Sequence, residues 1–229
     1  MKVYLGGVQS KTYREIMSQC GIKYGCLDYS YIYSRTPKIN IREVCELFEE
    51  VMVVPGRLYS DEFVYTYVDF LNEYADCFSF AIEAYRSDRM MLHEHCEVDI
   101  IPMFTGKEAE YGRVAVTRKQ SHEFLAHVNL LKLSQQVDIH GYGYTVPFSH
   151  TMNSSIWMAG SSGWTSVFTQ QKRLAILDKL RIHERSAIAR KLIKEGWEID
   201  LLKIKQRDWK EIGKLNCIAW RKYQDYWEA

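Results

Sequence analysis

The sequence contains no apolar run long enough to cross a bilayer, and its opening MKVYLGGVQSK lacks the charged-then-apolar leader of a secretory signal. Both absences predict a soluble, cytoplasmic chain without membrane contact. There is no C-x-x-C pair either. The six cysteines (Cys20, Cys26, Cys45, Cys77, Cys96, Cys217) fall at irregular spacings, several of them inside apolar periodic segments. In a chain of 229 residues that pattern predicts reduced, buried thiols and no disulfide framework. A P-loop, a G-x-S-x-G elbow, an H-E-x-x-H pair, an early G-x-G-x-x-G and a spaced Ser-His-Asp series are all missing, which sets aside the chemistries those motifs carry. No cofactor is called for by any motif, and neither internal repeats nor low-complexity linkers occur.

What is present is globular in character. Hydrophobic residues make up 47% of the chain and charged residues 26%, enough apolar material for one α/β domain with a large core. The net charge of +1 conceals an asymmetry. From Gln171 onward there are 15 Lys+Arg against 9 Asp+Glu, leaving 15 against 20 in residues 1–170. A basic tail on a mildly acidic body permits contact with DNA or RNA, although interleaved Lys, Arg and Glu also describe an ordinary solvated helix.

Read in order, the chain alternates strands and helices. KVYLGGV is a first strand ending on Gly6 and Gly7, followed by a helix over SKTYREIMSQCG, with Ser10 as cap and Gly21 as stop. KYGCLDYSYIY alternates aromatic and small residues and reads as a second strand. NIREVCELFEE, capped by Asn40, is a helix, and VMVVPGR is an apolar strand. SDEFVYTYVDFLNEY is an amphipathic helix, DCFSFAIEAY a strand that closes on Glu83, and RSDRMMLHEHC a polar helix. VDIIPMF and RVAVTR are strands, SHEFLAHVNLLKLSQQ a helix, and VDIHGYGYT, SSIWMAG and WTSVFT the last β segments. Eight or so short strands alternating with helices predict an α/β fold with a (β/α)8 TIM-type barrel, complete or incomplete, over residues 1–170. A doubly wound open sheet is the other arrangement of the same order.

Residues 171–229 contain no strand signal and predict a basic helical extension of two or three helices packed on the barrel, broken near Gly196 and Gly213. Ile212, Leu215, Ile218 and Ala219 form an apolar stripe beside Trp220, Tyr223 and Trp227, which either packs against the body or offers aromatic faces to bases.

The stretch 137–163, VDIHGYGYTVPFSHTMNSSIWMAGSSG, combines a strand pattern with glycines and short polar side chains, as a barrel strand feeding a polar site would. His140, followed by Gly141 and Tyr142, is placed at a turn after a strand, either lining a site or fixing the turn through a backbone hydrogen bond. Asp28 and Glu83 end two strand segments and either line the carboxyl mouth of a barrel or cap helices and pair with Arg57 or Arg86. His93, His95 and Cys96 share one segment, but its helical pattern does not converge them on a metal.

The opening MKVYLGGVQSKTYREIMSQCGIKYGCLDYSYI, the IPMFTGKE and RVAVTR segments, HGYGYT, NSSIWMAGSSG and the late NCIAWRKYQDY resemble, in order and spacing, the tRNA-guanine transglycosylase-like barrel superfamily. The group resembled is the phage-encoded and bacterial relatives, including the DpdA-type enzymes that modify DNA with 7-deazaguanine. The resemblance implies base exchange by a pentosyltransferase: one aspartate attacks the ribose C1′ while guanine leaves, and a second, in a D-S-G turn, moves the proton. In this chain Asn153 stands at the nucleophile position, within Asn153-Ser154-Ser155-Ile156-Trp157. Val53-Val54-Pro55-Gly56-Arg57 stands at the D-S-G turn. An amide has no anionic oxygen for the attack.

The resemblance therefore implies a phage-type barrel in a host cytoplasm that binds a purine or 7-deazaguanine base, or guanine-containing DNA or RNA, with catalysis altered or lost. Its catalytic positions would be Asn153, Asp28 and Glu83, and its binding positions Gly6, Gly7, His140, Gly141, Tyr142 and Trp157. No metal or cofactor enters. The other reading is a non-catalytic structural or host-interaction protein that reuses the barrel.

Overall fold

A computed structural model describes residues 2–35, 39–56, 60–83, 95–102, 113–117, 138–142, 158–161 and 182–228. Within them, β1 (Lys2–Gly6), α1 (Lys11–Gln19), β2 (Tyr24–Asp28), α2 (Tyr29–Arg35), α3 (Ile41–Glu46), β3 (Glu50–Val54) and α4 (Asp61–Glu73) follow one another. A 3-10 turn at Ala75–Cys77 leads into β4 (Phe80–Ile82). Next come β5 (Ile100–Ile101), β6 (Arg113–Thr117), β7 (Asp138–Tyr142) and β8 (Met158–Ser161), and then α5 (Ile182–Lys194), α6 (Leu201–Lys205) and α7 (Trp209–Glu228). The strands form one sheet in the order β5-β4-β3-β2-β1-β8-β7-β6, and every recorded pairing is parallel. The class is α/β.

Local chemistry explains most of the boundaries. Asn40 accepts a hydrogen bond from the Glu43 N–H, and Ser60 accepts one from the Phe63 N–H at 3.2 Å, so α3 and α4 begin at side-chain caps. Asp61 and Glu62 add negative charge at the positive end of α4. Ser10 precedes α1 as expected, although its side chain makes no capping bond. After α1, the Ile22 N–H donates to Met17 O and the Gly21 N–H to Ser18 O, with Gly21 at φ +63°, which is a Schellman ending. The same geometry ends α5 at Gly196, φ +96°, and ends α6 at Arg207, φ +60°.

Two expected boundaries fail. The segment after Asp28 does not continue as a strand; it turns into α2. A helix brings Tyr29 and Tyr33 onto one face, and both then meet Phe63 of α4, at 5.3 and 5.2 Å between ring centroids. Tyr29 also packs on Tyr67 and Phe70, at 5.1 and 4.8 Å. Each such pair contributes about 0.5–1.5 kcal/mol beyond its buried area, and that packing overrides the alternating pattern. Gly213 does not break the C-terminal region either: it is buried inside α7, and the interruption comes at Arg207 instead. The expected helices in 86–96 and 121–136 and the strand at 164–169 fall wholly or largely outside the described residues.

Both faces of the sheet are buried, which is why VMVV is continuously apolar. On one face Leu5, Leu27, Val51, Val53, Ala81 and Ile100 join a core that includes Met17, Phe63, Tyr67, Leu71, Leu215 and Ile218 from the helices. The other face carries a cluster to which, among the described residues, strands alone contribute: Tyr4, Tyr24, Cys26, Met52, Val54, Phe80, Ile82, Ile101 and Ala115. Here the Phe80 ring lies 5.3 Å from Tyr4 and 5.5 Å from His140. Strands β4 and β7 are five places apart in the sheet, so a flat sheet would hold them about 24 Å apart at roughly 4.8 Å per strand. The sheet is therefore strongly curled, and the Ala115 N–H donates to Pro102 O at 2.8 Å, between its two end strands.

Helix α7 packs on α1 and β1. Ile212, Leu215, Ile218 and Trp220 are all buried, which supports the packing reading of the apolar stripe for those residues; the side chains of Tyr223 and Trp227 lie outside the described ones. Asn216, on the same helix and fully buried, makes no side-chain hydrogen bond to any described residue. Arg221 donates to the Gly21 carbonyl, tying α7 to the end of α1.

A left-handed backbone costs an L-residue about 1–2 kcal/mol. Arg207→Gly is therefore expected to stabilise the protein by about 1 kcal/mol, raising Tm by about 2–4 °C in a thermal melt. Gly196→Ala should shift Tm by a similar amount downward, because nothing lies within 4 Å of the added methyl and only the backbone is strained.

Candidate functional site at the carboxyl edge

Because the strands are parallel, their carboxyl ends share one edge, which is where such sheets keep their chemistry. That edge carries Gly6 of β1, Asp28 of β2, Val54 of β3, Ile82 of β4, Thr117 of β6, Tyr142 of β7 and Ser161 of β8. Register confirms the alignment, with Asp28 beside Val54, Thr117 beside Tyr142 and Ser161 beside Leu5. Of the sequence-derived candidates, Gly6, Gly7, Asp28, Glu83, Gly141 and Tyr142 thus come to the same edge, from four strands. Asn153 and Trp157 lie outside the described residues.

Asp28 is held in a tight turn. Its Oδ1 accepts from the Ser30 N–H at 3.0 Å and from the Ser30 hydroxyl at 2.6 Å, so it caps α2, the capping alternative left open by the sequence. Gly56, just after β3, faces this turn at φ +84°. A Cβ on Gly56 would stand 2.1 Å from Ser30 Oγ, 2.5 Å from Ser30 Cβ and 2.6 Å from Asp28 Oδ1. Only glycine satisfies both the backbone angle and the space. The carboxylate of β2 therefore rests against the backbone that follows β3.

Beside Asp28 on the same face of β2, Cys26 is 6% exposed. Burial, and secondarily the Asp28 charge, pushes its thiol far up, so it stays protonated at neutral pH and is no nucleophile. Glu83 follows β4 directly and is half-buried; its N–H donates to Ile101 O at 3.0 Å, which fixes the backbone that presents the side chain. Gly7, at φ +98°, opens the turn after β1, and its carbonyl accepts from the Ser10 N–H at 2.9 Å. With no side chains on Gly6 or Gly7, backbone is all that β1 offers a ligand there.

His140 is not at a turn. It sits within β7, in register with Ala115 and Met158, 1% exposed, and its ring meets Tyr4 and Phe80 below the carboxyl edge. Gly141 likewise belongs to the strand. His95 is exposed, in a turn, and its carbonyl accepts from Asn72 Nδ2 at 2.8 Å; His93 lies outside the described residues. Among the described residues no group of three or more His, Cys, Asp or Glu is placed to hold a metal ion. No described helix is long and apolar enough to cross a membrane.

Sequence reasoning missed Ser30 and the requirement for Gly56. D-x-S at the end of a strand pattern is an N-cap signal, and it was available; the contact across 26 residues to Gly56 was not. The opposite, amino edge is closed by a different group: Glu50 pairs with Lys2 and accepts from the Tyr4 hydroxyl at 2.5 Å, while Lys2 lies over the Tyr24 ring.

No protein-family model, curated protein or solved structure matches this chain.

The Gly56 contact sets a quantitative expectation. Gly56→Ala should destabilise the protein by about 2–3 kcal/mol in urea unfolding, the sum of a strained φ and an overlap. In a Ser30→Gly background the same change should cost measurably less, since two of the three close atoms are gone; equal costs in both backgrounds would mean that the turn and Gly56 are not in contact.

Proposed function

We propose that the curled sheet is an eight-stranded (β/α)8 barrel of transglycosylase type, and that its carboxyl mouth binds a purine or 7-deazaguanine base, free or within guanine-containing DNA or RNA. The observation that carries this reading is the Asp28–Ser30 turn lodged against Gly56. In the family pattern the turn after β3 supplies an aspartate; here Pro55 and Gly56 occupy that turn. The Asp28 carboxylate reaches the same spot from β2, at 2.6 Å from where a Gly56 side chain would begin. A carboxylate is an acceptor suited to the adjacent N–H donors on a guanine edge, and glycine backbone beside it leaves room for a flat ring.

The barrel itself is supported by the sheet order, by the ring contacts across β1, β4 and β7, and by the Ala115–Pro102 hydrogen bond. It is further supported by α7, the last helix, lying on α1, as a closing ring of helices requires. Exposed Lys191, Lys194, Lys203, Lys205, Arg207 and Lys210 give the C-terminal helices a positive surface along which a nucleic acid could reach the mouth. Base exchange is not part of the proposal, because Asn153 lacks a nucleophilic oxygen and Pro55 lacks a carboxylate. The same two positions favour a second reading, a non-catalytic structural or host-interaction protein on the same scaffold.

The test is a thermal-shift and calorimetric titration with guanine, 7-deazaguanine bases and short guanine-containing DNA and RNA. A ligand at a hundred times its Kd stabilises by about 2.7 kcal/mol, which raises Tm by roughly 5–10 °C. Glu83→Gln is expected to weaken base binding at least tenfold, about 1.4 kcal/mol, without lowering the Tm of the free protein. A radiolabelled guanine exchange assay should stay blank. If none of these ligands shifts the melt, base recognition is wrong and the second reading stands.

A further inference from the structure

Outside the mouth, helices α1, α6 and α7 border a surface cavity of about 460 Å³, within the size range of clefts that take small ligands. Trp209, the first residue of α7, lines it together with Thr12 and Ile16 of α1 and with Lys203, Lys210 and Lys214. Trp209 is 42% exposed, a large surface for a residue type that is highly buried on average. The Lys210 ammonium lies 5.5 Å from the centre of its ring. Helix α7 runs in the same sense as α1: Thr12 and Trp209, both at helix starts, meet at one cavity, while Arg221 reaches the Gly21 carbonyl past the end of α1. Helix α1 follows β1 from the carboxyl edge, so Trp209 stands at the end of the protein that holds the mouth, on the outside of its helices.

The charges around the cavity are not balanced by pairing. Lys203, Lys210 and Lys214 pair with no carboxylate of a described residue. The carboxylates that line the cavity are Glu15, Asp208 and Glu211. Asp208 Oδ1 accepts from the Glu211 N–H at 2.9 Å, and Glu211 Oε1 accepts from the Asp200 N–H at 2.8 Å, so both are engaged by backbone donors. Both also stand at the positive end of a 20-residue helix, which answers their charge. That leaves three ammonium groups against Glu15, and exposed Lys205 and Arg207 continue the positive charge beyond the cavity. An exposed indole among such cations suits a ligand with a flat π-face and phosphates beside it. An acidic peptide would use the lysines but leave the indole without a stacking partner.

We infer that this cavity is a stacking subsite for one unpaired nucleotide of a single-stranded nucleic acid, its base lying on the Trp209 ring and its flanking phosphates on Lys203, Lys210 and Lys214. Only the class of polymer rests on the reading of the mouth. The subsite itself asks for no guanine, because every base has a face to stack and phosphates carry no sequence. A strand fits better than a free nucleotide, since Lys205 and Arg207 lie outside the cavity, where only further phosphates of the same chain meet them. Held there, the strand keeps its bases at a raised local concentration beside the carboxyl edge.

The full chain is titrated into a fluorescently labelled short oligothymidylate, and anisotropy is read at a series of salt concentrations. Binding is expected to weaken as salt rises, with log Kobs falling on log salt at a slope of about −2, roughly −0.7 for each of three lysine–phosphate contacts. Trp209→Ala should lower affinity roughly five- to a hundredfold and leave that slope unchanged, whereas Lys203→Gln should reduce the slope by about 0.7. Trp209→Phe, which keeps a ring for stacking, should recover most of the loss, and a thermal melt of each variant checks that the fold is intact. Oligothymidylate contains no guanine, so this titration can succeed where guanine fails at the mouth, and fail where guanine succeeds. Three results would overturn the inference: no binding of oligothymidylate to wild type at low salt, equal affinities for wild type and Trp209→Ala, or thymidine monophosphate that displaces the strand at equal nucleotide concentration.

Discussion

The contact of the Phe80 ring with Tyr4 on one side and His140 on the other constrains everything else in this protein. Those residues come from β4, β1 and β7, and a parallel sheet in the observed order brings Phe80 within 6 Å of both others only by curling strongly. Curling has two consequences. The inner cluster receives side chains from strands alone, so it must be filled by alternate strand residues of the right bulk, and Tyr4, Met52, Phe80 and Ile82 supply that bulk. The other face is covered by helices among the described residues, and α1, α4 and α7 each lend buried residues to it.

Much of this was legible along the chain, and what was not has physical causes. Caps at Asn40 and Ser60 are local: a short polar side chain and the N–H three residues on decide them, and the sequence shows both. The continuously apolar VMVV and FAI need only that both faces be buried. The helix at Tyr29–Arg35 depends instead on Phe63, Tyr67 and Phe70, more than thirty residues away, and a local period of two cannot reveal it. Gly213 fails as the expected break for the same reason. Packing of α7 on α1 carries a glycine through the helix, and the connection from α6 to α7 needs a left-handed residue where the chain offers an arginine.

The candidate site divides along the same line. Asp28 and Glu83 reach the carboxyl edge because each directly ends or follows a strand, which the sequence pattern conveys. The lodging of Ser30 and Asp28 against Gly56 is a contact between consecutive strands' trailing turns, and no spacing rule encodes it. His140 shows the opposite error. A histidine followed by glycine reads as a turn, yet β7 runs through both, because Ala115 and Met158 flank His140 in register and its ring fills a gap between two aromatic rings. Its ring packs on Tyr4 and Phe80, so His140 belongs with the packing of that aromatic cluster.

The two edges of the sheet divide labour on physical grounds. At the amino edge Glu50 holds Lys2 and the Tyr4 hydroxyl, and Arg42 pairs with Asp76, so charges there are answered within the protein. At the carboxyl edge β1 ends in Gly6, Gly56 follows β3 after Pro55, and Asp28 already commits one oxygen to Ser30. A carboxylate so fixed costs no ordering when a partner arrives, and preorganisation of that kind favours recognition over turnover. Catalysis by displacement needs more, a carboxylate free to form a bond and a second free to move a proton, and a side chain locked into a helix cap is poorly placed for either. The capping of Asp28 thus gives its side chain the chemistry of a residue that holds a turn in place.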